Sequence, residues 1–498
     1  MIKDYFKDLI SEKLGFQPTT QQQEVIEKLS DFLLTEGTDT VFILRGFAGT
    51  GKTSLVSALT SVMEQLSREC VLIAPTGRAA KVLSQYADHP AYTIHKRIYR
   101  QKSIDQDSIF TLNYNPKPHL LFICDEASMI SMGEEHSSSI YGTGRLLDDL
   151  LQFVYNGGGS RLILLGDTAQ LPPVGETESP ALQDDVLSRY GLNVVSYTLT
   201  QVVRQAEDSG ILWNATHLRQ LIHDQDTFRL PQIRLHGFPD IQNIPGSELI
   251  EALEQCYHRD GYDETIVVTR SNKRANIYNN GIRTQILWRE AELESGDLLM
   301  VAKNNYFYSL TPDPSQDPES SQPRTPTADF IANGDIVRIQ RVRGARALYG
   351  FHFIDAEITF PDYADSQLEC TLLLDTLHTE APALTADQQQ QLWNQVIADY
   401  EEINIASPGE RPQWKRATKT EKLKAMRSDP HYNALQVKYA YAVTCHKAQG
   451  GQWTNVFIDQ GYMTEEMLGP DYFRWLYTAL TRATHRVFLV NWPEERTF

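Results

Sequence analysis

Four short apolar runs punctuate the first third of the chain: 40-TVFILRG-46, 71-VLIAPT-76, 120-LLFICDE-126 and 161-RLILLGD-167. Each is bounded by Gly, Pro or acidic residues, and their length and β-branched content predict strands buried on both faces. Between the first two, Leu55, Leu59, Val62, Met63 and Leu66 recur on one face of a helix. Strand, helix, strand predicts an α/β fold with a parallel, doubly wound sheet that binds ligands at the carboxyl ends of its strands. A second set, 264-ETIVVTR-270, 439-YAYAVT-444, 455-NVFIDQ-460 and 487-VFLVNW-492, predicts a second α/β lobe. Between its parts, residues 300–435 change texture. Pieces such as 334-GDIVRIQRV-342 and 351-FHFIDAEITF-360 suit strands, and a glutamine-rich helical stretch follows, which predicts an inserted domain. Within it, 311-TPDPSQDPESSQPRTPT-327 has too many prolines and too little apolar content to pack, and reads as a surface loop.

The 498 residues, 41% of them apolar, leave room for roughly three domains of about 150 residues. The five cysteines lie far apart with no C-x-x-C pair, which argues against zinc and disulfides. No apolar run approaches the ~18 residues that span a bilayer, and the N-terminus is charged throughout, so the expectation is a reduced, cytoplasmic protein away from membranes. A net charge of −18 excludes nucleic-acid binding through the overall field, because such binding draws on Lys and Arg displacing counterions. Any nucleic-acid site must be local.

The run 46-GFAGTGKT-53 follows a predicted strand and opens a predicted helix, the context that a G-x-x-x-x-G-K-[ST] phosphate loop requires. Its residues Gly46, Ala48, Gly49, Thr50, Gly51, Lys52, Thr53 and Ser54 form the expected cradle for ATP, where inward-turned amides and a helix N-terminus favour phosphate. Lys52 is expected on the β- and γ-phosphates and Thr53 on Mg²⁺. The strand 121-LFIC-124 ends in Asp125, a second Mg²⁺ candidate, and Glu126, a candidate to orient and deprotonate the attacking water. In 166-GDTAQLPPV-174, Gln170 is a candidate γ-phosphate contact beside a rigid Pro-Pro turn. Upstream, Gln22 stands three residues after Thr19: it suits either pairing with adenine N6 and N7 or an ordinary helix cap. The stretch 443-VTCHKAQGGQW-453 admits a metal or nucleophile at Cys445 and His446, or a loop that grips an anion.

The ordered series GFAGTGKT, APTGRAAKVL, TIHK, DEASM, GDTAQLPPV, LTQVVRQ, VTCHKAQG and YTALTRA resembles the motifs of superfamily 1 helicases, in the RecD-like and Dda-like 1B branch that moves 5′ to 3′ on single-stranded DNA. The resemblance implies two RecA-like lobes (1–95 with 119–191, and 192–299 with 436–498), a pin insert at 96–118, and an SH3-like β-barrel at 300–435 with a helical extension. It implies an ATP-dependent DNA helicase, acting on single-stranded and forked DNA as a monomer. In 443-VTCHKAQGGQW-453 it places Thr444 and His446 on the DNA backbone and turns Gln449 and Gly450 toward nucleotide. Short donors and bare amides suit phosphate oxygens, and Cys445 becomes a packing residue. Arg204 and Arg482 match the arginines that reach the γ-phosphate, a role suited to an always-charged, planar guanidinium. Thr76, Thr93 and His95 match strand-contact positions, with Pro75 or Tyr92 a base platform, and Tyr99 or Phe110 the apolar tip of the pin. The basic run 411-RPQWKRATKTEKLKAMR-427 reads as a solvated helix face ahead of a DNA contact. Two rival readings remain open: an RNA-acting motor of the same superfamily, and a nucleotide-switched scaffold that does not unwind.

Overall fold

The computed structural model describes residues 2–35, 37, 39–101, 110–133, 143–202, 208–305, 307–308, 331–363, 366–404 and 414–498. They fall into two compact units, Met1–Val268 together with Cys445–Phe498, and Thr269–Thr444. Among the described residues, no helix is long and apolar enough to cross a membrane.

The first unit is built on a six-stranded parallel sheet in the order Ala91–Thr93, Cys70–Ala74, Leu121–Cys124, Arg161–Gly166, Thr40–Gly46, Asn193–Leu199. The apolar runs become its central strands because neither face meets water: Phe42, Ile43, Leu72, Ile123 and Leu164 are wholly buried. On one face, Leu55, Leu59 and Val62 of helix Lys52–Gln65 join Ile10, Val25 and Leu29 in a single core. A second sheet orders Thr265–Thr269, Trp453–Asp459, Ala483–Val490 and Ile241–Ile244, the last two pairings parallel.

Two features differ from expectation. Asn193–Leu199, placed at the start of the second lobe, pairs in parallel with Thr40–Gly46 from Thr40↔Asn193 to Gly46↔Leu199 and so forms the edge of the first sheet. Most of its residues are only half-buried, so it lacks the apolar run that marks the central strands. Ile241–Ile244 was not anticipated at all. With two apolar residues around Gln242 and Asn243, it carries too short a signal.

The second unit is a closed barrel of Leu298–Val301, Ile336–Leu348, Phe351–Phe360, Ser366–Leu373 and Leu435–Tyr439. The expected insert limits of 300 and 435 cut through it: Leu299 pairs with Tyr439 and Val301 with Val437, so strands at both limits belong to the barrel. Helices Ala386–Asp399 and Lys419–Arg427, each opened by a reciprocal Thr cap, pack Leu392, Val396 and Met426 on Phe351 and Phe353. In the basic run, Lys415 meets Glu421 at 2.7 Å and Lys422 meets Glu401 at 3.7 Å, as a solvated face would. Residues 311–327 and 411–413 lie outside the described residues.

Candidate active site

The phosphate loop joins strand Thr40–Gly46 to helix Lys52–Gln65. Gly49 and Gly51 hold φ of +76° and +83°, a left-handed backbone that side chains resist, and this turns the loop back on itself. A Cβ on Gly46 would sit 2.9 Å from Lys52 Cγ, so only glycine leaves room for the lysine. The Lys52 ammonium donates to the carbonyls of Gly46 and, at 3.1 Å, Phe47. Thr50 is buried, Thr53 half-buried and Ser54 exposed on the first turn.

Asp125 and Glu126 end strand Leu121–Cys124. The Asp125 carboxylate accepts from the Glu126 amide at 2.8 Å, and Glu126 adopts φ +51°. A left-handed non-glycine residue costs roughly 1–2 kcal/mol and persists where the surroundings demand it. Burial first, and the neighbouring Glu126 carboxylate second, push Asp125 up to about 6, against the pull of Lys52 and Arg482. Glu126 Oε1 lies 3.7 Å from Arg482 Nη1. Arg482 is itself buried and held from behind, donating to Thr478 O (3.1 Å), Gly451 O (3.2 Å) and Thr481 Oγ1 (3.2 Å).

Other contacts tie the two sheets together at this point. Tyr477 of helix Pro470–Leu480 accepts from the Ala48 amide at 3.0 Å and donates to the buried Asp167 carboxylate. Thr478 accepts from the Leu171 amide (3.0 Å), and the Gln449 amide donates to the Leu171 carbonyl (2.7 Å). Gln170, beside them, is buried, with an Oε1 that has no hydrogen-bond partner. Lys52, Asp125, Glu126, Gln170, Gln449 and Arg482 thus belong to one seam. The glycine cradle suits a nucleoside triphosphate, and the Thr53 hydroxyl and Asp125 carboxylate are oxygen donors of the kind that Mg²⁺ takes.

Several expected roles change. Gln22 is wholly buried and both ends of its amide are taken: Oε1 accepts from Thr19 N at 2.9 Å, and Nε2 donates to Thr50 O at 3.2 Å. It caps helix Thr20–Leu34 and braces the phosphate loop, using one amide hydrogen and one oxygen lone pair. Gly450 (φ +73°) does not turn toward nucleotide: a Cβ there would lie 2.9 Å from Ala79 Cβ and 3.0 Å from Thr76 Oγ1. Its turn instead packs on the strand-contact candidates, where Arg78 lies 4.2 Å from the Trp453 ring and donates to Gln452 O at 3.0 Å. Thr76 and Thr93 both cap helices, accepting from Ala79 N and Lys96 N, each at 3.2 Å. Thr93 is also buried, whereas Pro75, Thr76 and Tyr92 keep partial exposure. His95 is pushed down to about 4 by burial and is neutral at pH 7.

Tyr99 is not a wedge tip. It is buried at the base of the hairpin Tyr99–Gln101 with Phe110–Leu112, and its hydroxyl donates to Asp149 at 2.7 Å. The side chain of Phe110, residues 102–109 and Arg204 lie outside the described residues. Thr444 ends a strand of the second unit, and His446 is exposed in the first. Cys445 is buried, its thiol 3.5 Å from the Trp475 carbonyl, as a packing residue would be.

Lys447 was overlooked, although the HK pair is plain in the sequence. Its ammonium is buried with no hydrogen-bond partner, and burial pushes it down to about 8. Because the folded pKa lies below the unfolded one, the unfolded chain binds more protons between about pH 8 and 10.5, so this group makes stability rise with pH across that window. Lys447→Met is expected to stabilise the protein by about 2 kcal/mol at pH 7 and to flatten that rise. Urea unfolding at pH 7 and pH 10 checks this, and a destabilised variant would contradict the assignment.

Comparison with known proteins agrees with the motif order. An AAA domain model matches residues 17–230, and a UvrD-like helicase C-terminal domain model matches residues 439–490. An uncharacterised protein of Acanthamoeba polyphaga mimivirus is 24% identical, covering 94% of this chain and 98% of its own length. The ATP-dependent RecD2 DNA helicase of Deinococcus radiodurans is 32% identical over 39% of this chain. The chain spans only 22% of that enzyme, and 37% of an uncharacterised Methanocaldococcus jannaschii protein with which it shares 24% identity. A Bacteroides Pif1 helicase structure in complex with ADP-AlF3 and single-stranded DNA covers 95% of this chain and 94% of its own, with 14% identity and a TM-score of 0.43. The chain is thus similar to an AAA domain over residues 17–230 and to a UvrD-like helicase C-terminal domain over residues 439–490, the two matches enclosing the ordered motifs that resemble those of superfamily 1 helicases.

Proposed function

We propose that this chain is an ATP-dependent DNA helicase that hydrolyses ATP at the seam described above, moves 5′ to 3′ on single-stranded DNA and opens duplex at forks. The observation that carries the reading is Arg482, which approaches from the C-terminal segment to within 3.7 Å of Glu126 beside the Lys52 loop. A switch that only binds nucleotide has no use for a water-activating carboxylate faced by a buried arginine. Similarity to an ATP-dependent RecD2 DNA helicase supports DNA as the track.

ATP with Mg²⁺ supplies the scissile phosphate and the charge neutralisation around it, with Thr53 and Asp125 as the ligands offered by this chain. Lys52 exchanges its bonds to the Gly46 and Phe47 carbonyls for phosphate oxygens. Glu126 orients the attacking water and takes its proton. Arg482 and Gln170 meet the charge that develops on the γ-phosphate. The bonds from Tyr477 and Thr478 to Ala48, Asp167 and Leu171 pass any movement of the loop to helix Pro470–Leu480. Within the first unit the DNA grip falls to Pro75, Thr76, Tyr92 and His446, with Thr93 capping the helix that carries His95.

Strand displacement on duplexes with a 5′ or a 3′ single-stranded tail, in DNA and in RNA, tests the reading. ATP-dependent displacement confined to the 5′-tailed DNA is expected. Equal displacement of 3′-tailed DNA would remove the polarity, and preference for the RNA track would favour the rival motor.

A further inference from the structure

We propose that the chain carries a second oxyanion site, a cavity behind Phe47 walled by Gln170, Arg219 and Arg474, that holds inorganic phosphate after it leaves the Lys52 loop; this rests on the reading that the seam hydrolyses ATP. The cavity encloses about 230 Å³, and its walls also include Glu178, Ser179 and His223. Pockets for drug-sized ligands occupy about 300–1,000 Å³, so this one is too small for a nucleotide. It has room for a tetrahedral oxyanion with a few waters at about 30 Å³ each.

Three polar atoms of the lining have unmet hydrogen-bonding capacity. Arg219 Nη1, Arg474 Nε and Gln170 Oε1 are all buried without a partner, and the Gln170 side chain is only 7% exposed. A buried, unbonded polar atom costs about 1–3 kcal/mol, and three in one small cavity mark a place built for something else. Two are cationic donors, which select an anion. The third is an acceptor, which selects an anion that carries a proton. Once these side chains turn toward it, hydrogen phosphate at neutral pH can satisfy all three, its P–O–H donating to Gln170 and its bare oxygens accepting from the arginines. Sulfate has no proton to give. Glu178 also lines the cavity, with one oxygen occupied by the Gln183 amide, and its charge holds the affinity to a modest level.

The site shares a wall with the phosphate loop. Phe47 offers its carbonyl to Lys52 at 3.1 Å and its ring to Arg219, whose Cζ lies 4.1 Å from the ring centroid. Arg219 stands on helix Gly210–His223, and its charge is felt at Asp167 and Tyr477. Phosphate entering the cavity therefore draws Arg219 away from Phe47 and loosens the loop from its far side. No bond is made or broken in this step: the phosphate is a product of hydrolysis, held by hydrogen bonds and charge.

Equilibrium binding of radiolabelled inorganic phosphate to the full chain, with Mg²⁺-ADP saturating the loop and chloride holding ionic strength constant, tests the site. One phosphate per chain is expected, with sulfate at least tenfold weaker. Arg219→Met and Arg474→Met should each weaken phosphate at least tenfold without lowering the melting temperature, with ADP affinity within error for Arg474→Met, and either variant suffices if the other fails to fold. No saturable phosphate binding, or binding indifferent to the folded variant and to the exchange of phosphate for sulfate, would overturn the proposal. If phosphate binds as expected but the parent chain does not hydrolyse ATP, the oxyanion site stands and its role as a product site falls.

Discussion

Arg482→Ala is expected to lower DNA-stimulated ATP turnover by about 10³ while leaving ATP affinity within about tenfold. The guanidinium lies 3.7 Å from Glu126 and also donates to Thr478, Gly451 and Thr481, so in the proposed role it would meet the γ-phosphate already oriented. Preorganised charge of this kind acts mainly on the transition state, which is why the loss should fall on kcat. Arg482→Lys should recover little, because one ammonium cannot keep the anchoring bonds and also face phosphate. Steady-state ATPase with saturating single-stranded DNA, alongside binding of a non-hydrolysable analogue, separates the two effects. Turnover within tenfold of the parent would remove Arg482 from the reaction.

The second large effect concerns stability. Asp297 is wholly buried where the barrel begins, and its carboxylate accepts from Arg283 at 3.0 Å through both oxygens and from Tyr441 at 2.9 Å, with Arg289 at 2.6 Å. Burial alone would lower the Arg283 pKa, yet its bonds to Asp297 leave it raised. Asp297→Ala strands two arginines in a place with little water, and breaking a buried ion pair from one side costs about 3–5 kcal/mol. The strand Leu298–Val301 starts at the next residue, and Leu298 N donates to the Tyr441 hydroxyl oxygen at 3.2 Å, so the barrel should open first at this edge. Hydrogen exchange at the amides of Leu298–Val301 should accelerate by more than a hundredfold. A change below about tenfold would mean that the cluster contributes little to stability.

The parts of this molecule that were legible in sequence are those whose chemistry is local. The loop 46-GFAGTGKT-53 is legible because its glycines, lysine and flanking elements are contiguous, and each is needed at its spacing. Asp125 and Glu126 are legible only together with that loop, since two carboxylates after a strand can also be an ordinary surface turn. Gln22 is ambiguous because a helix cap and an adenine contact leave the same local trace; the structure shows the cap and adds a bond to the Thr50 carbonyl that no local pattern announces. Tyr99 misled in the opposite way: an aromatic residue near a turn looks exposed until Asp149, fifty residues on, is found to hold its hydroxyl. Tyr477, Arg219 and the Leu171 backbone left no trace, since their partners come from segments distant in the chain. The short strand Ile241–Ile244 is invisible for a related reason, being held by its neighbour Ala483–Val490 and not by its own apolar content.

The central claim is that cleavage of a triphosphate at the seam drives movement along DNA, and the most direct measurement of it is strand displacement by Lys52→Ala and Glu126→Gln proteins on a 5′-tailed fork. Both are expected to bind the fork as the parent does. Lys52→Ala should fail to hydrolyse ATP, and Glu126→Gln should bind ATP with turnover reduced by about 10² or more, with displacement falling in step in each. Displacement at the parental rate by either protein would contradict the account.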